Sequence, residues 1–144
     1  MDTFGAVFTA IENKFKANPT LVGLLGGSTG RNAYRLYNKR AVEDPAFPYV
    51  VVFITNATPE DTFTEEGEVL NVQFNIYDWD QDSPDDDSTV NAVYSALDNL
   101  FNKCDLTVSG YNFIYMLRSN MIPVRTTDDT QQITVNYEIM IQEN

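Results

Sequence analysis

Residues 78–87 read DWDQDSPDDD and contain six aspartates, whose carboxylates are oxygen ligands of the kind that calcium prefers. Three of them alternate as in the first half of a calcium-binding EF-hand loop, namely Asp78, Asp80 and Asp82. The second half of that pattern fails, because Ser83 stands where the loop needs glycine and Thr89 stands where it needs glutamate. A predicted strand also enters the segment where an EF-hand has a helix. The sequence therefore predicts no specific metal site, and weak calcium binding stays open as an alternative.

The second half of this segment has a simpler explanation in helix formation. Asp85, Asp86 and Asp87 come just before an apolar pattern that is typical of a helix over residues 88–102. Carboxylates at this position accept hydrogen bonds from free N–H groups and favour the positive end of the helix dipole, each contact contributing roughly 0.5–1 kcal/mol. We therefore expect these aspartates to begin a helix.

Two other patterns resemble catalytic sites but lack the rest of the chemistry. Residues 26–30, GGSTG, match the G-x-S-x-G nucleophile elbow, which needs a strand before it, a helix after it and a histidine base. Here a predicted helix precedes the glycines, and the chain contains no histidine. Paired carboxylates could serve a glycosidase, but nothing in the sequence places two of them opposite each other in an apolar cleft. The sequence predicts no catalytic residue and no cofactor, and hence a protein that is not an enzyme.

Length and charge narrow the function further. The chain has 144 residues, a net charge of −12 and a single cysteine. This length is typical of one domain, 1–144, and one cysteine excludes an internal disulfide framework. The negative charge should repel nucleic-acid phosphates and anionic membranes. Because no apolar run reaches membrane-spanning length and Asp2 is unlike the start of a signal peptide, we expect the protein to stay in the cytoplasm or in a particle assembled there.

The order of the predicted elements indicates the fold class. Apolar residues at spacings of three and four predict helices over 3–17 and 88–102, with a helical turn at 20–25. In the first helix the apolar face consists of Phe4, Val7, Phe8, Ile11 and Phe15. Alternating and β-branched residues predict strands over 33–38, 48–57, 68–79, 106–108, 112–118 and 131–142.

These elements predict an α+β fold of a single domain. We expect a mostly antiparallel sheet of four to five strands, with two helices packed on one face and a long β-hairpin over 48–79. In the strand over 68–79, alternate residues from Leu70 to Ile76 are apolar. In the last strand the predicted buried face consists of Ile133, Val135, Tyr137, Ile139 and Ile141.

Charged residues suggest two complementary surfaces. A basic group interrupts the acidic chain and consists of Arg31, Arg35, Lys39 and Arg40. An acidic group lies at the predicted hairpin tip and consists of Glu60, Asp61, Glu65, Glu66 and Glu68. The basic group is explained either as a solvated edge strand or as a surface that pairs with the acidic tip of a neighbouring subunit. In the second case the two groups would form a heterologous interface of the kind that closes a ring.

Three blocks of sequence together resemble a known family. The first is NPTLVGLLGG after the N-terminal helix, and the second is DPAFPYVVV, which runs into a valine-rich strand. The third is GEVLNVQFNIYDWD, followed by a helix, by DLTVSGYNFIYMLRS and by a final strand. Over residues 4–142 this order is similar to that of the tail terminator, or tail completion, proteins of long-tailed bacteriophages and related gene-transfer particles.

The resemblance implies a structural role in a virion. Members of the tail terminator family form a six-membered ring of small α+β subunits. The ring caps the head-proximal end of the tail tube and stops tube polymerisation. The implied partners are therefore further copies of the chain, the tail tube protein and a neck or head-completion protein, at the junction of tail and neck. Genome DNA would pass through the central channel without specific binding, and residues 47–52 would belong to the fold rather than to a site.

Two alternatives remain at this stage. Another neck or head–tail connector protein would also form a ring of small α+β domains, but it need not touch the tube protein. A calcium-dependent interaction module built on residues 78–87 is the second alternative, and calcium would then raise its thermal stability by mass action.

Overall fold

A computed structural model describes residues 3–26, 34–41, 43, 45–61, 65–79, 86–125 and 130–144. The helices are α1 (Thr3–Lys16), α2 (Pro19–Leu24) and α3 (Ser88–Phe101). The strands are β1 (Leu36–Asn38), β2 (Tyr49–Pro59), β3 (Gly67–Asp78), β4 (Tyr111–Arg125) and β5 (Gln131–Glu143). None of the helices among these residues is long and apolar enough to cross a membrane.

The strands form one five-stranded sheet in the order β1-β2-β3-β5-β4. Only the short β1 runs parallel to its neighbour, and the other three pairs are antiparallel. The predicted hairpin over 48–79 is confirmed as β2 and β3, and β4 with β5 makes a second long hairpin. The predicted α+β class is therefore confirmed.

Strict alternation in the two central strands decides which face of the sheet is buried. In β3 the side chains of Leu70, Val72, Phe74 and Ile76 are fully buried. They lie directly opposite Ile139, Tyr137, Val135 and Ile133 of β5. Because side chains alternate between the two faces of a strand, all of these residues point to one face, which becomes the floor of the core. The predicted buried face of the last strand is confirmed.

The three helices bury their apolar stripes in this same core. From α1 come Val7, Ile11 and Phe15, and from α3 come Val90, Val93, Leu97 and Phe101. The ring of Phe101 stacks on that of Phe74 at 5.3 Å. The prediction that Phe4 lies in the core was wrong: it is 49% exposed. Phe4 instead lines a surface groove with Phe53 and Ile54 of β2. Phe8 is half-buried.

Two strand predictions differ from the structure. Residues 106–108 form no strand, although Leu106 and Val108 are buried, because this segment reaches the core from a connection. The prediction over 112–118 covers only the first half of β4. Two bulges in the pairing of β4 with β5 break the period of two, so the apolar residues of the second half no longer alternate.

The strand predicted over 33–38 is reduced to three residues. Arg35 and Lys39, on either side of β1, have positive φ angles of 56° and 70°. An extended strand needs negative φ, so β1 begins after the first of these residues and ends before the second.

A polar network fastens α3 to the sheet at the edge of the core. The hydroxyl of the buried Tyr137 donates to Asp98 Oδ1 at 2.8 Å, and Arg118 of β4 donates to Asp98 Oδ2 at 3.0 Å. Arg118 also donates to the hydroxyl of Tyr94. Burial, reinforced by the hydrogen bond to Asp98, raises the pKa of Tyr137. One carboxylate therefore connects α3 with both strands of the second hairpin.

Tyr137→Phe should lower the free energy of unfolding by about 1–2 kcal/mol, because Asp98 keeps its place but loses a buried donor. Urea unfolding of the two proteins measures this difference. Tyr37→Phe, on the half-buried face of the edge strand β1, is the matched control and should change stability by less than about 0.5 kcal/mol. Equal losses in both variants would contradict a specific role for the Tyr137 hydroxyl.

Backbone contacts close the connection between β2 and β3 and leave no room for a side chain at Gly67. Glu60 N donates to Gly67 O at 2.9 Å, and Glu143 N donates to Glu66 O at 2.8 Å. A Cβ atom on Gly67 would lie 2.6 Å from the carbonyl oxygen of Glu60 and 3.3 Å from that of Ile141. Both neighbours are backbone atoms: Ile141 is paired in β5, and Glu60 is held by its hydrogen bond to Gly67, so they cannot move aside cheaply.

Gly67→Ala should therefore destabilise the protein by about 1–3 kcal/mol through overpacking. Gly23→Ala is the matched control, since nothing lies within 4 Å of a Cβ atom there and the residue is in helix α2. That change should be neutral or stabilise by up to about 1 kcal/mol, because alanine favours helix. Thermal unfolding of the two variants gives the comparison, and a neutral Gly67→Ala would show that the hairpin end opens easily.

A second polar contact predicts how stability depends on pH. Tyr34 OH donates to Glu12 Oε1 at 2.8 Å, which joins the segment before β1 to α1. Burial, then the hydrogen bond and the charge of Glu12, raise the pKa of Tyr34 from 10.0 to about 12. Below pH 10 the Tyr34 hydroxyl is protonated in both the folded and the unfolded state, so its hydrogen bond to Glu12 contributes fully to stability. Between pH 10 and pH 12 only the folded state holds this proton, so stability falls as the pH rises.

Tyr34→Phe should make this alkaline loss of stability shallower, because the variant has no proton to lose at this position. Urea unfolding at pH 8, 10 and 11 measures the slope in both proteins. The same slope in the variant would mean that Tyr34 contributes nothing to the alkaline transition.

Candidate assembly surfaces

The acidic tip lies at one end of the sheet, in the connection between β2 and β3. Glu60, Asp61, Glu65 and Glu66 are exposed, as is Glu143 at the end of β5 beside them. Glu68 is half-buried and accepts a hydrogen bond from Thr3 Oγ1 at 2.7 Å, which holds the start of α1 against the hairpin. The structure thus gathers the predicted carboxylates at one end of the sheet, but gives Glu68 an internal contact.

The basic residues separate into two groups. Arg31 lies outside the described residues. Arg35 points inward and donates to the carbonyl oxygens of Leu25 and Phe47, the second at 2.9 Å. A cation at the carbonyl end of helix α2 stabilises the exposed carbonyls and the helix dipole, so Arg35 has a role in the fold. Lys39 and Arg40 are exposed just after β1 and remain the basic candidates for an interface.

The acidic tip and the basic pair do not meet within one chain. Lys39 N donates to Val52 O, so the basic pair lies beside the middle of β2, whereas the tip begins after Pro59. At the rise of an extended strand, this separation is roughly 25 Å. Any pairing between the two groups would therefore have to involve two copies of the chain.

The aspartate segment contributes to the beginning of α3. Asp86 Oδ1 accepts a hydrogen bond from Ser88 N at 3.0 Å, and this bond lowers the pKa of Asp86. Asp87 occupies the N-cap position without a side-chain cap bond. Asp80, Asp82 and Asp85 lie outside the described residues, as do residues 27–30 of the GGSTG sequence. Within the described part of the chain, no three His, Cys, Asp or Glu side chains come together as a metal site.

The face of the sheet opposite the helices carries almost no charge. Its central rows are amides and hydroxyls that bond across the strands: Asn71 to Asn56 at 2.5 Å, Thr134 to Asn75 at 2.6 Å and Asn136 to Asn120 at 2.7 Å. Among the described residues of these rows, Glu138 is the charged one. In a chain with 21 acidic residues, such a face is typical of a contact surface, since interface cores are depleted in charge.

An aromatic group covers the end of this face away from the acidic tip. Tyr49 and Tyr77 stack at 5.0 Å, Tyr37 and Phe47 approach Tyr49 at 5.9 and 5.2 Å, and Trp79 lies 6.4 Å from Phe47. Phe47 and Trp79 remain substantially exposed. Phe47 precedes β2 and Trp79 follows β3, and exposed aromatic side chains held next to a sheet are typical anchors of protein interfaces.

The outer edge of the second hairpin is a further exposed apolar surface among the described residues. Four large apolar residues of β4 are exposed here, namely Ile114, Leu117, Met121 and Ile122. Large apolar side chains on a long edge strand favour association with another chain. Sequence reasoning missed the half of this surface formed by Met121 and Ile122, because it ended the strand at residue 118. Residues 71–75 and 119–124 contain no charged residue. This absence of charge was the signal that could have indicated the outer face of the sheet and the edge of β4.

Comparisons with known proteins identify the fold. No family model matches this chain, and neither does any curated protein. A chain from the virion of a native gene transfer agent particle is similar in structure, with a TM-score of 0.80, 17% sequence identity and 96% of both chains covered. A second solved structure matches with a TM-score of 0.53 and 14% identity, over 94% of both chains. The chain therefore has, over nearly its whole length, the fold of a protein found in a gene transfer agent virion.

Proposed function

We propose that this protein is a structural component of a phage-like virion, which forms a ring at the head-proximal end of the tail tube and terminates tail polymerisation. The observation that carries the proposal is the likeness to the gene transfer agent virion chain, which extends over 96% of both chains at a TM-score of 0.80. The order of sequence blocks independently resembles the tail terminators of the same class of particle.

The distribution of charge supports assembly from identical copies. The exposed Lys39 and Arg40 lie beside β1, and the exposed carboxylates Glu60 and Glu66 lie at the hairpin tip. Two unlike patches that cannot meet within one chain form a heterologous contact, and a heterologous contact closes into a ring when the rotation between copies permits it. We propose six copies, at the junction of tail and neck in the virion.

The chemistry of the chain also suits a channel for DNA. A net charge of −12 and a sheet face whose described residues include no cation offer little that would hold phosphates as a genome moves past. One end of the ring would contact the tail tube protein, and the other would contact a neck or head-completion protein. In this role the protein binds neither a cofactor nor a membrane, and it catalyses no reaction.

Native mass spectrometry over a concentration series, with and without calcium, tests the ring. The expected species is a hexamer of about 98 kDa, six times the 16.3 kDa of the chain, and calcium should leave it unchanged. A monomer that binds one calcium ion tightly would instead favour a calcium-dependent module.

Purified tail tubes separate the proposed function from its closest alternative. The protein should bind at one end of each tube by electron microscopy and stop further addition of tube protein. A connector from elsewhere in the neck would form rings but leave tube growth unchanged, and that result would reject the terminator role.

Reversing the basic pair should weaken the ring. Lys39→Glu with Arg40→Glu removes pairs worth about 1 kcal/mol per interface, so each contact should weaken roughly five-fold in low salt. Native mass spectrometry of the variant against the unchanged protein measures the shift towards smaller species.

A control and a rescue make this prediction specific. Lys14→Glu with Lys16→Glu makes the same change of charge on α1 and should leave the ring intact. Combining the reversed basic pair with Glu60→Lys and Glu66→Lys should restore assembly, because the signs are exchanged on both surfaces. Failure of the rescue would mean that these two patches do not face each other.

A further inference from the structure

Lys39 lies at a sharp reversal of the chain directly after β1. Its φ angle is 70°, in the left-handed region that glycine enters freely and other residues enter at a cost. Arg40 N donates to Asn38 O at 2.8 Å, so a hydrogen bond between residues i and i+2 closes the turn around Lys39. A three-residue turn with positive φ at its centre is the rare and strained form of the γ-turn. The sequence thus places a lysine where the backbone favours glycine or asparagine.

Strand pairing holds this turn in place. Lys39 N donates to Val52 O at 2.9 Å, which continues the pairing of β1 with β2 by one residue. At the other end of β1, Val50 N donates to Arg35 O at 3.0 Å. β1 is therefore fixed to β2 at both ends, and a strained conformation persists where the surrounding structure determines it in this way.

The fold explains the other basic residues that have the same backbone conformation. Among the described residues, the non-glycine residues with positive φ are Arg35, Lys39 and Lys103. Arg35 donates to the carbonyl oxygens of Leu25 and Phe47, the first of which lies at the end of α2. Lys103 directly follows the C-cap residue of α3, where a cation favours the negative end of the helix dipole. Each of these two side chains therefore has a stabilising role within its own chain.

Lys39 has no such role among the residues that the structure describes. It follows a strand, so no helix dipole favours its charge. Its side chain is exposed, and it forms no hydrogen bond or ion pair with a described residue. Its stem lines the groove beside Phe4 and Phe53, a position that an unbranched apolar side chain would fill equally well. The ammonium group is therefore the part of Lys39 for which the fold gives no reason.

The neighbouring Arg40 carries the same charge without this backbone cost. It is exposed, and its φ angle is not positive. If the basic pair only made this edge positive, a glycine or asparagine at position 39 and a cation at position 40 would be enough. A strained residue that the fold does not require is typical of a functional position.

The carboxylates of the acidic tip are the partner that fits the charge of Lys39. Glu60 and Glu66 are exposed there, and the exposed Glu143 lies beside them at the end of β5. The tip of the same chain is roughly 25 Å from Lys39 at the rise of an extended strand, so the carboxylates have to come from another copy. An exposed ion pair adds little affinity, but it selects the orientation in which two surfaces meet.

We propose that Lys39 determines the specificity of the contact between copies, because its ammonium group pairs with carboxylates at the acidic tip of the next copy. The inference rests on the proposed ring and separates Lys39 from Arg40, which contributes little to the contact. It predicts a trade-off between stability and assembly. Relieving the strained turn should stabilise the subunit and weaken the ring in the same variant.

Lys39→Gly tests both halves of this trade-off. In high salt, and at a dilution where native mass spectrometry shows only monomer, the variant should unfold about 2–4 °C above the unchanged protein, because glycine adopts positive φ without strain. In low salt each contact of the ring should weaken roughly three-fold, as expected for the loss of an exposed ion pair. Arg40→Gly removes the same charge where φ is ordinary, so it should unfold at a lower temperature than the unchanged protein.

Methionine variants isolate the ammonium group. Lys39→Met keeps an unbranched stem over the groove and the same backbone conformation, so its unfolding temperature should stay within about 1 °C of that of the unchanged protein. Its ring should nevertheless weaken as much as that of Lys39→Gly. Arg40→Met is the matched control, and each contact should stay within about 1.5-fold of its strength in the unchanged protein.

The possible outcomes separate this inference from the proposed function. A Lys39→Gly variant that is no more stable than the unchanged protein, or a Lys39→Met ring of unchanged strength, would overturn the inference and leave the ring in place. Equal losses of assembly in Lys39→Met and Arg40→Met would also overturn it, since the two cations would then be interchangeable. If the unchanged protein forms no ring either in solution or on tail tubes, both the inference and the proposed function fail.

Discussion

The alternation of apolar and polar side chains along the two central strands is the constraint on which the rest of this structure depends. β3 and β5 pair in register over twelve residues, and Leu70, Val72, Phe74 and Ile76 therefore share one face with their partners of β5. A shift of one residue would turn all of them towards solvent, so the register is fixed by the cost of exposing the core. Since only one face is apolar, the helices must all pack on that face.

Covering one face has a consequence for the other. The opposite face consists of amides that bond to one another and of aromatic rings at one end, so it is satisfied in water but carries little charge. Charge is concentrated instead at the rim, in the tip after Pro59 and in the exposed pair after β1. This arrangement suits a subunit whose broad surfaces meet other proteins and whose charged edges select the orientation of the contact.

The central part of the fold could be predicted from the sequence, and the edges could not. Residues 68–79 and 131–142 are recognisable because a period of two continues without interruption, and the stripe of α3 is equally regular. The second half of β4 could not be recognised by this periodicity, because two bulges shift the alternation. Met121 and Ile122 therefore fell outside the predicted strand. β1 is shortened by the positive φ angles of Arg35 and Lys39, which no pattern of hydrophobicity indicates. Among the charged candidates, the grouping of acidic residues at the tip could be predicted from the hairpin. The contact of Arg35 could not, because it depends on where the carbonyl of Leu25 lies in three dimensions.

Apolar contacts and charge pairs between copies respond to salt in opposite ways. Each copy added to a ring brings a further net charge of −12, so copies repel one another at distances beyond direct contact. This repulsion is screened over about 8 Å at physiological ionic strength, whereas apolar contact between copies is not weakened by screening. Pairing of Lys39 and Arg40 with carboxylates is weakened by the same salt. Added salt should therefore favour a ring held together mainly by apolar contacts and disfavour a ring held together mainly by charge pairs. The sign of the salt dependence of assembly thus reports which of the two interactions dominates.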